Sequence, residues 1–168
     1  MRITPETIIK DISEALNTTD LVPDSNHNGK DYLSYRYRWN DTRPIVLIRV
    51  YGEQRYEVVA GKKCYDITDD EIYGALKPLI VKAVKAVYDA ACSEIAYRGD
   101  EMSVIMHGDD TRELWMFVTK GDEKYSATYY AKSGRISLGM VPLEFTARYM
   151  ELVKEYFLPF VEEHREAK

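Results

Sequence analysis

The segment NDTRPIVLIRVYGEQRY (residues 40–56) is written a second time, in altered form, as DDTRELWMFVTKGDEKY (residues 109–125). Each copy carries Asp-Thr-Arg, then an apolar run, then a glycine with a tyrosine four residues beyond it. An apolar run that halts at a glycine and restarts after it is the pattern of a β-hairpin. The tight turn calls for a left-handed backbone, which glycine adopts without steric cost. Two such hairpins, 69 residues apart, commit much of the chain to antiparallel pairing and leave the stretches between and after them for helices.

The remaining pattern fills that frame. Thr4-Pro5-Glu6 combines an N-cap, a first-turn proline and an acid suited to the helix dipole. A helix is therefore expected there, with Ile8, Ile9, Ile12 and Leu16 as its stripe and an end near Asn17. Residues 18–30 read as a polar loop. DYLSYRYRW alternates, with Leu33, Tyr35, Tyr37 and Trp39 on one face and Ser34, Arg36 and Arg38 on a solvated one. PIVLIRVY and RYEVVAG complete the first triplet of strands. Thr68 and Glu71 form a capping box for a helix to about Tyr97, which Pro78 should bend or restart. EMSVIMH, RELWMFVTK and EKYSATYYA form a second triplet, with RISLG as a candidate fourth strand. Pro142 then opens a helix with Phe145, Tyr149, Leu152, Val153, Tyr156 and Phe157 as core residues. The expected class is α+β, in the order α-βββ-α-βββ(β)-α, with antiparallel sheets packed by helices. Residues 1–168 are expected to form a single domain.

Laying 31–99 on 100–168 without a gap gives twelve identities over 69 positions. A tandem duplication of an αβββ unit accounts for these two pseudo-repeat halves, and so does convergent hairpin chemistry. The halves differ in polarity. In the first, the outward residues Ser34, Arg36, Arg38, Arg49, Arg55 and Glu57 are mainly charged. In the second, both faces are apolar: Val104 and Met106 against Ile105, Leu114 and Met116 against Trp115 and Phe117, Tyr129 against Tyr130. A strand that is apolar on both sides must be covered on both. The cover is either other parts of the same chain or a second molecule. The expected association is a homodimer or a complex with a protein partner, with Trp115, Phe117, Tyr129 and Tyr130 as interface residues, because buried aromatics dominate interface energetics.

Composition narrows the chemistry. The chain has 14 Tyr against 4 Phe, a choice that suits half-exposed sheets and interfaces. A net charge of −5 opposes a nucleic-acid footprint. The strand face carrying Tyr32, Arg36, Arg38, Arg49, Tyr51 and Arg55 is the best candidate for stacked bases or another ligand, although Glu57 interrupts it. Cys64 and Cys92 have no CxxC spacing and read as free thiols of a reducing compartment. The amino terminus lacks a secretory h-region and no stretch reads as a membrane span, so a cytoplasmic protein is expected.

DSNHNGKDY opens like a calcium loop, with Asp24, Asn26, Asn28 and Asp31 as oxygen donors, but the twelfth position is Tyr35 rather than a glutamate. An Asn-Gly turn explains the stretch better. HGDD falls where the first half has a hairpin turn; its alternative is a metal-assisted hydrolase using His107, Asp109 and Asp110. His27, His107 and His164 share no metal-ligand spacing. With no GxGxxG, GxxxxGK[ST] or GxSxG present, no catalytic, cofactor-binding or metal residue is assigned. An inhibitor or immunity-type protein is compatible with the size and charge.

The element order, the Thr-Pro-Glu start and the ending SGRISLGMVPLEFTARYMELVKEYF resemble the YbjN-like proteins, which are similar in fold to type III secretion chaperones. In that family a final strand with a short apolar-Pro-Leu step leads into the last helix, and Val141-Pro142-Leu143 matches that step. The resemblance implies a non-enzymatic, chaperone-like binding module, usually dimeric, that presents a sheet or helix surface to another polypeptide.

Overall fold

A computed structural model describes residues 3–24, 28–29, 31–40, 43–52, 54–107, 113–121 and 123–166. The architecture is α+β, in the order the sequence suggests but with longer sheets. The chain divides into two compact units, Met1–Cys92 and Ser93–Lys168, whereas the pseudo-repeat halves part at residues 99 and 100. The reason is that the strand Ile95–Arg98 pairs with the second sheet.

In the first unit, α1 (Pro5–Ala15) precedes a five-stranded antiparallel meander: β1 (Leu21–Pro23), β2 (Tyr32–Tyr37), β3 (Pro44–Tyr51), β4 (Arg55–Ala60) and β5 (Lys63–Ile67). The helix α2 (Asp70–Ser93) follows. Thr4 caps α1 as expected, its hydroxyl accepting the Thr7 N–H at 3.2 Å. The segment read as a polar loop contains β1, which pairs with β2 through Leu21↔Tyr37 and Pro23↔Tyr35. Ser34, expected on the solvated face of β2, departs from that expectation. Ser34 is buried, its N–H donated to the Asn28 amide oxygen at 2.6 Å and its carbonyl accepting the Asp24 N–H at 2.9 Å.

The cap of α2 is Asp69, not Thr68: Asp69 Oδ1 accepts the Ile72 N–H at 2.8 Å. Pro78 neither ends nor restarts this helix. The carbonyl four residues back, which its ring crowds and whose acceptor bond it removes, belongs to exposed Gly74, where water reaches it. Ile8 and Ile12 of α1 and Tyr73, Ile80, Val84 and Ala91 of α2 are buried with Ile48, Val58 and Ile67 of the sheet. Each such aliphatic side chain contributes about 1.5–3 kcal/mol. Tyr73 ties the two helices together, donating to Asp11 Oδ2 at 2.7 Å. Tyr88 meets Tyr37 edge to face, with centroids 5.3 Å apart.

In the second unit the strands are β6 (Ile95–Arg98), β7 (Met102–His107), β8 (Glu113–Lys120), β9 (Glu123–Tyr130) and β10 (Arg135–Leu138), again an antiparallel meander. A 3₁₀ turn (Leu143–Phe145), α3 (Thr146–Leu152), a π-helical turn (Val153–Phe157) and α4 (Leu158–Glu166) run on from it. The π turn has a local cause in Pro159. A proline clashes with the carbonyl four residues back, and one inserted residue relieves that clash while keeping Val153, Phe157 and Val161 in the core. One face of this sheet (Met102, Val104, Leu114, Met116, Val118, Ala127 and Tyr129) packs in one cluster with Tyr149, Leu152, Val153, Phe157 and Val161.

The doubled motif proves to be one hairpin in each unit. β3–β4 turns at Gly52 with φ 70°, and β8–β9 at Gly121 with φ 61°. Among the described residues, no helix is long and apolar enough to cross a membrane.

Candidate functional site

On the first unit, the register aligns Tyr32, Arg49, Glu57 and Asp66 across β2 to β5, with Tyr51 opposite Arg55 one step along the same face. Arg49 Nη1 meets Glu57 Oε1 at 2.9 Å, and its Nε–H donates to the Tyr32 hydroxyl at 3.1 Å. Hydrogen bonds to the Tyr32 and Tyr51 hydroxyls, with the Glu57 carboxylate beside them, raise the Arg49 pKa further above its ordinary value. Arg55 reaches Asp66 at 3.2 Å and lies 4.8 Å above the Tyr51 ring. Arg38 is 3.9 Å from Asp20, and Arg36 is half-buried in β2. On this face, the sequence's best ligand candidate, Arg49 and Arg55 are thus paired with carboxylates of the same sheet, and Arg55 covers the Tyr51 ring. A base or phosphate would have to displace those partners first.

On the second unit, the four residues expected at an interface separate into two groups. Phe117 and Tyr129 are buried within the chain, at 4% and 1% exposure. Tyr129 sits in the helix-packed cluster with the Arg165 guanidinium 5.4 Å from its ring. Trp115 and Tyr130 remain half-buried. The Trp115 indole N–H donates to Glu113 at 2.7 Å, and Arg135 lies 5.1 Å from the Tyr130 ring. Ile105, on the same face as Trp115 and Phe117, is fully buried. The protein therefore covers most of both apolar sheet faces itself.

Among the described residues, the two most exposed large apolar side chains lie just past the exit of β10. Leu138 is 47% exposed, Met140 96% and Leu143 90%. These residues form a rim on a connection that is firmly held. The Ser126 carbonyl accepts both the Gly139 N–H (2.9 Å) and the Tyr149 hydroxyl (2.7 Å), while the Gly139 N–H also points to the Tyr149 oxygen at 3.1 Å. Burial pushes the Tyr149 phenol above its ordinary pKa, and the Gly139 hydrogen bond works against that shift. A side chain at 139 would collide with the Ser126 carbonyl oxygen, so only glycine passes so close to β9. On the far side of the step, Phe145 N–H and the Thr146 hydroxyl both donate to the Pro142 carbonyl, at 2.9 and 3.2 Å. Met140 and Leu143 thus project from a fixed backbone. The sequence signal for this site was the Val141-Pro142-Leu143 step itself.

The calcium-like stretch places Asn28 in a turn, as its bond to Ser34 shows, while Asn26 and His27 lie outside the described residues. Asp109 and Asp110 of the HGDD turn also lie outside them, and β7 ends at His107. Among the described residues, no group of three or more His, Cys, Asp or Glu is placed to hold a metal ion.

No protein-family model matches this chain, and no curated protein or solved structure shows significant similarity to it.

Proposed function

We propose that this chain is a non-enzymatic polypeptide-binding module, chaperone-like in covering apolar segments, whose contact surface is the rim of Leu138, Met140 and Leu143. The exposure of Met140 and Leu143 carries the reading. Two large apolar side chains left in water on a braced backbone forgo about 1.5–3 kcal/mol each, which a partner recovers on covering them. Fixing them in advance also lowers the entropy lost on binding. The apolar-Pro-Leu step that resembles the YbjN-like proteins lies in the same stretch, which favours a binding role of that kind. A cytoplasmic setting goes with this proposal, supported by the unpaired Cys64 and Cys92. An inhibitor or immunity-type role is a special case of the same surface. The metal-assisted hydrolase reading around His107, Asp109 and Asp110 gains no supporting observation.

The test is an array of extended peptides, including this chain's own residues 132–144, probed with the wild type and with Met140→Asp/Leu143→Asp. Apolar peptides should be retained by the wild type and released at least tenfold more readily by the double variant. Equal retention by both proteins, or none by either, ends the proposal.

A further inference from the structure

We infer that the polypeptide fitting this rim is a second copy of the same chain, joined edge to edge through β10 in an antiparallel, two-fold arrangement. The inference rests on the binding role proposed for the Leu138–Leu143 rim and names its occupant.

The two sheets are bordered by β1 and β5 and by β6 and β10. A strand at the border of a sheet offers unpaired backbone groups to any other strand unless it is guarded by shortness, proline, charge or a bulge. β1 is three residues long and ends in Pro23. β5 carries exposed Lys63 and Asp66. β6 is interrupted by a register shift between Ile95 and Tyr97. β10 has no proline and no register shift, and its single charged residue, Arg135, stands at its start.

The register of β10 then determines what it can accept. Gly139 bonds to Ser126 across the β9–β10 pair. Antiparallel ladders alternate, so Ser137 also turns its backbone groups toward β9, while Ile136 and Leu138 turn theirs outward. Those two residues lie opposite Tyr129 and Ala127, so their side chains share the helix-packed face of the sheet.

A second β10 laid antiparallel against this edge satisfies both outward residues when Ile136 of one copy exchanges hydrogen bonds with Leu138 of the other. That single register is self-complementary throughout. Apolar Ile136 faces apolar Leu138 on one side of the joined sheet. Ser137 faces Ser137 at the two-fold axis on the other side, with no bulk to clash. Arg135 falls opposite Gly139, so no like charges oppose each other. Met140 comes alongside the partner's β9–β10 turn at Gly134, where the space beside the glycine is open. The contact is isologous and closed: it makes a dimer with one continuous sheet across the interface, and it does not propagate into a filament.

The full chain should elute with a scattering mass twice the 19.5 kDa of one copy. Leu138→Pro removes one outward N–H without touching the ladder to β9, and Ser137→Lys sets two cations face to face at the axis. Both should give monomers with unchanged circular dichroism, melting somewhat below the wild type because the stabilisation by association is lost. In a Cys64→Ser background, Ser137→Cys should form a covalent dimer with oxidised glutathione. Cysteines that meet at a non-hydrogen-bonded pair are within disulfide reach, and Ser133→Cys, off the axis, should stay uncrosslinked. A monomeric wild type at every concentration, a dimer indifferent to both edge variants, or crosslinking through position 133 instead of 137 overturns the inference. If peptides on the array are nevertheless retained in a Met140- and Leu143-dependent way, the binding role survives and only the occupant is wrong. If neither dimer nor peptide binding is found, both fail.

Discussion

A methyl group at position 139 would lie well inside van der Waals contact distance of the Ser126 carbonyl oxygen, which already accepts from Gly139 and Tyr149. Gly139→Ala must push β10 from β9 or twist the step that carries Met140. We expect it to cost about 1–3 kcal/mol, the range for overpacking a closed site. Urea unfolding measures this, and peptide retention should fall with it because the rim moves. Tyr149→Phe is the milder partner experiment. The Ser126 carbonyl keeps the Gly139 N–H, so no buried acceptor is orphaned and the loss should be about 1 kcal/mol. A larger penalty for Tyr149→Phe than for Gly139→Ala would show that the phenol, rather than the close backbone approach, holds the step. The sequence marked the Val141-Pro142-Leu143 step but not the exposure of the side chains around it. A methionine and a leucine beside a proline look like core residues by composition, and only the path of β10 past β9 leaves them in water.

At the scale of elements, the sequence announced the two hairpins because positive-φ glycines and apolar runs are local signals that survive any tertiary context. It failed where two local signals competed. Ala91 and Ile95 are spaced for one helical stripe, so the second helix looked longer, yet Ile95–Arg98 leaves it to pair with β7. Backbone pairing outweighed helical spacing there. The start of the same helix is a sharper case. Thr68 and Glu71 match a capping box, but Asp69 is one residue nearer and a stronger acceptor, and it takes the Ile72 N–H. Asp69→Ala should therefore cost about 1 kcal/mol, whereas Thr68→Ala should change stability little. Thermal melts of the two variants decide it, and the reverse order would restore the capping box.

Across the whole molecule, the excess of tyrosine over phenylalanine has a thermodynamic signature. Burial is the first cause raising the pKa of Tyr35, Tyr73, Tyr88 and Tyr149 above the ordinary value of 10.0, and for Tyr73 the hydrogen bond to Asp11 adds to it. Folding therefore holds these protons more tightly than the unfolded chain does. Below pH 10.0 both states keep them, and the full contribution to stability is present. Above it the unfolded chain loses its tyrosine protons first, and unfolding gains free energy with every further rise until the folded phenols ionise too. Stability in urea should thus be insensitive to these groups from neutral pH to about 9 and fall steeply beyond 10. Tyr73→Phe separates the effect from general alkaline damage. At neutral pH it loses a hydrogen bond to a carboxylate, about 1.5–3 kcal/mol, but its stability should decline less between pH 10 and 11 than that of the wild type. Parallel decline in the two proteins would mean that the Tyr73 proton is not held by the fold, and that the alkaline loss arises from groups outside the α1–α2 contact.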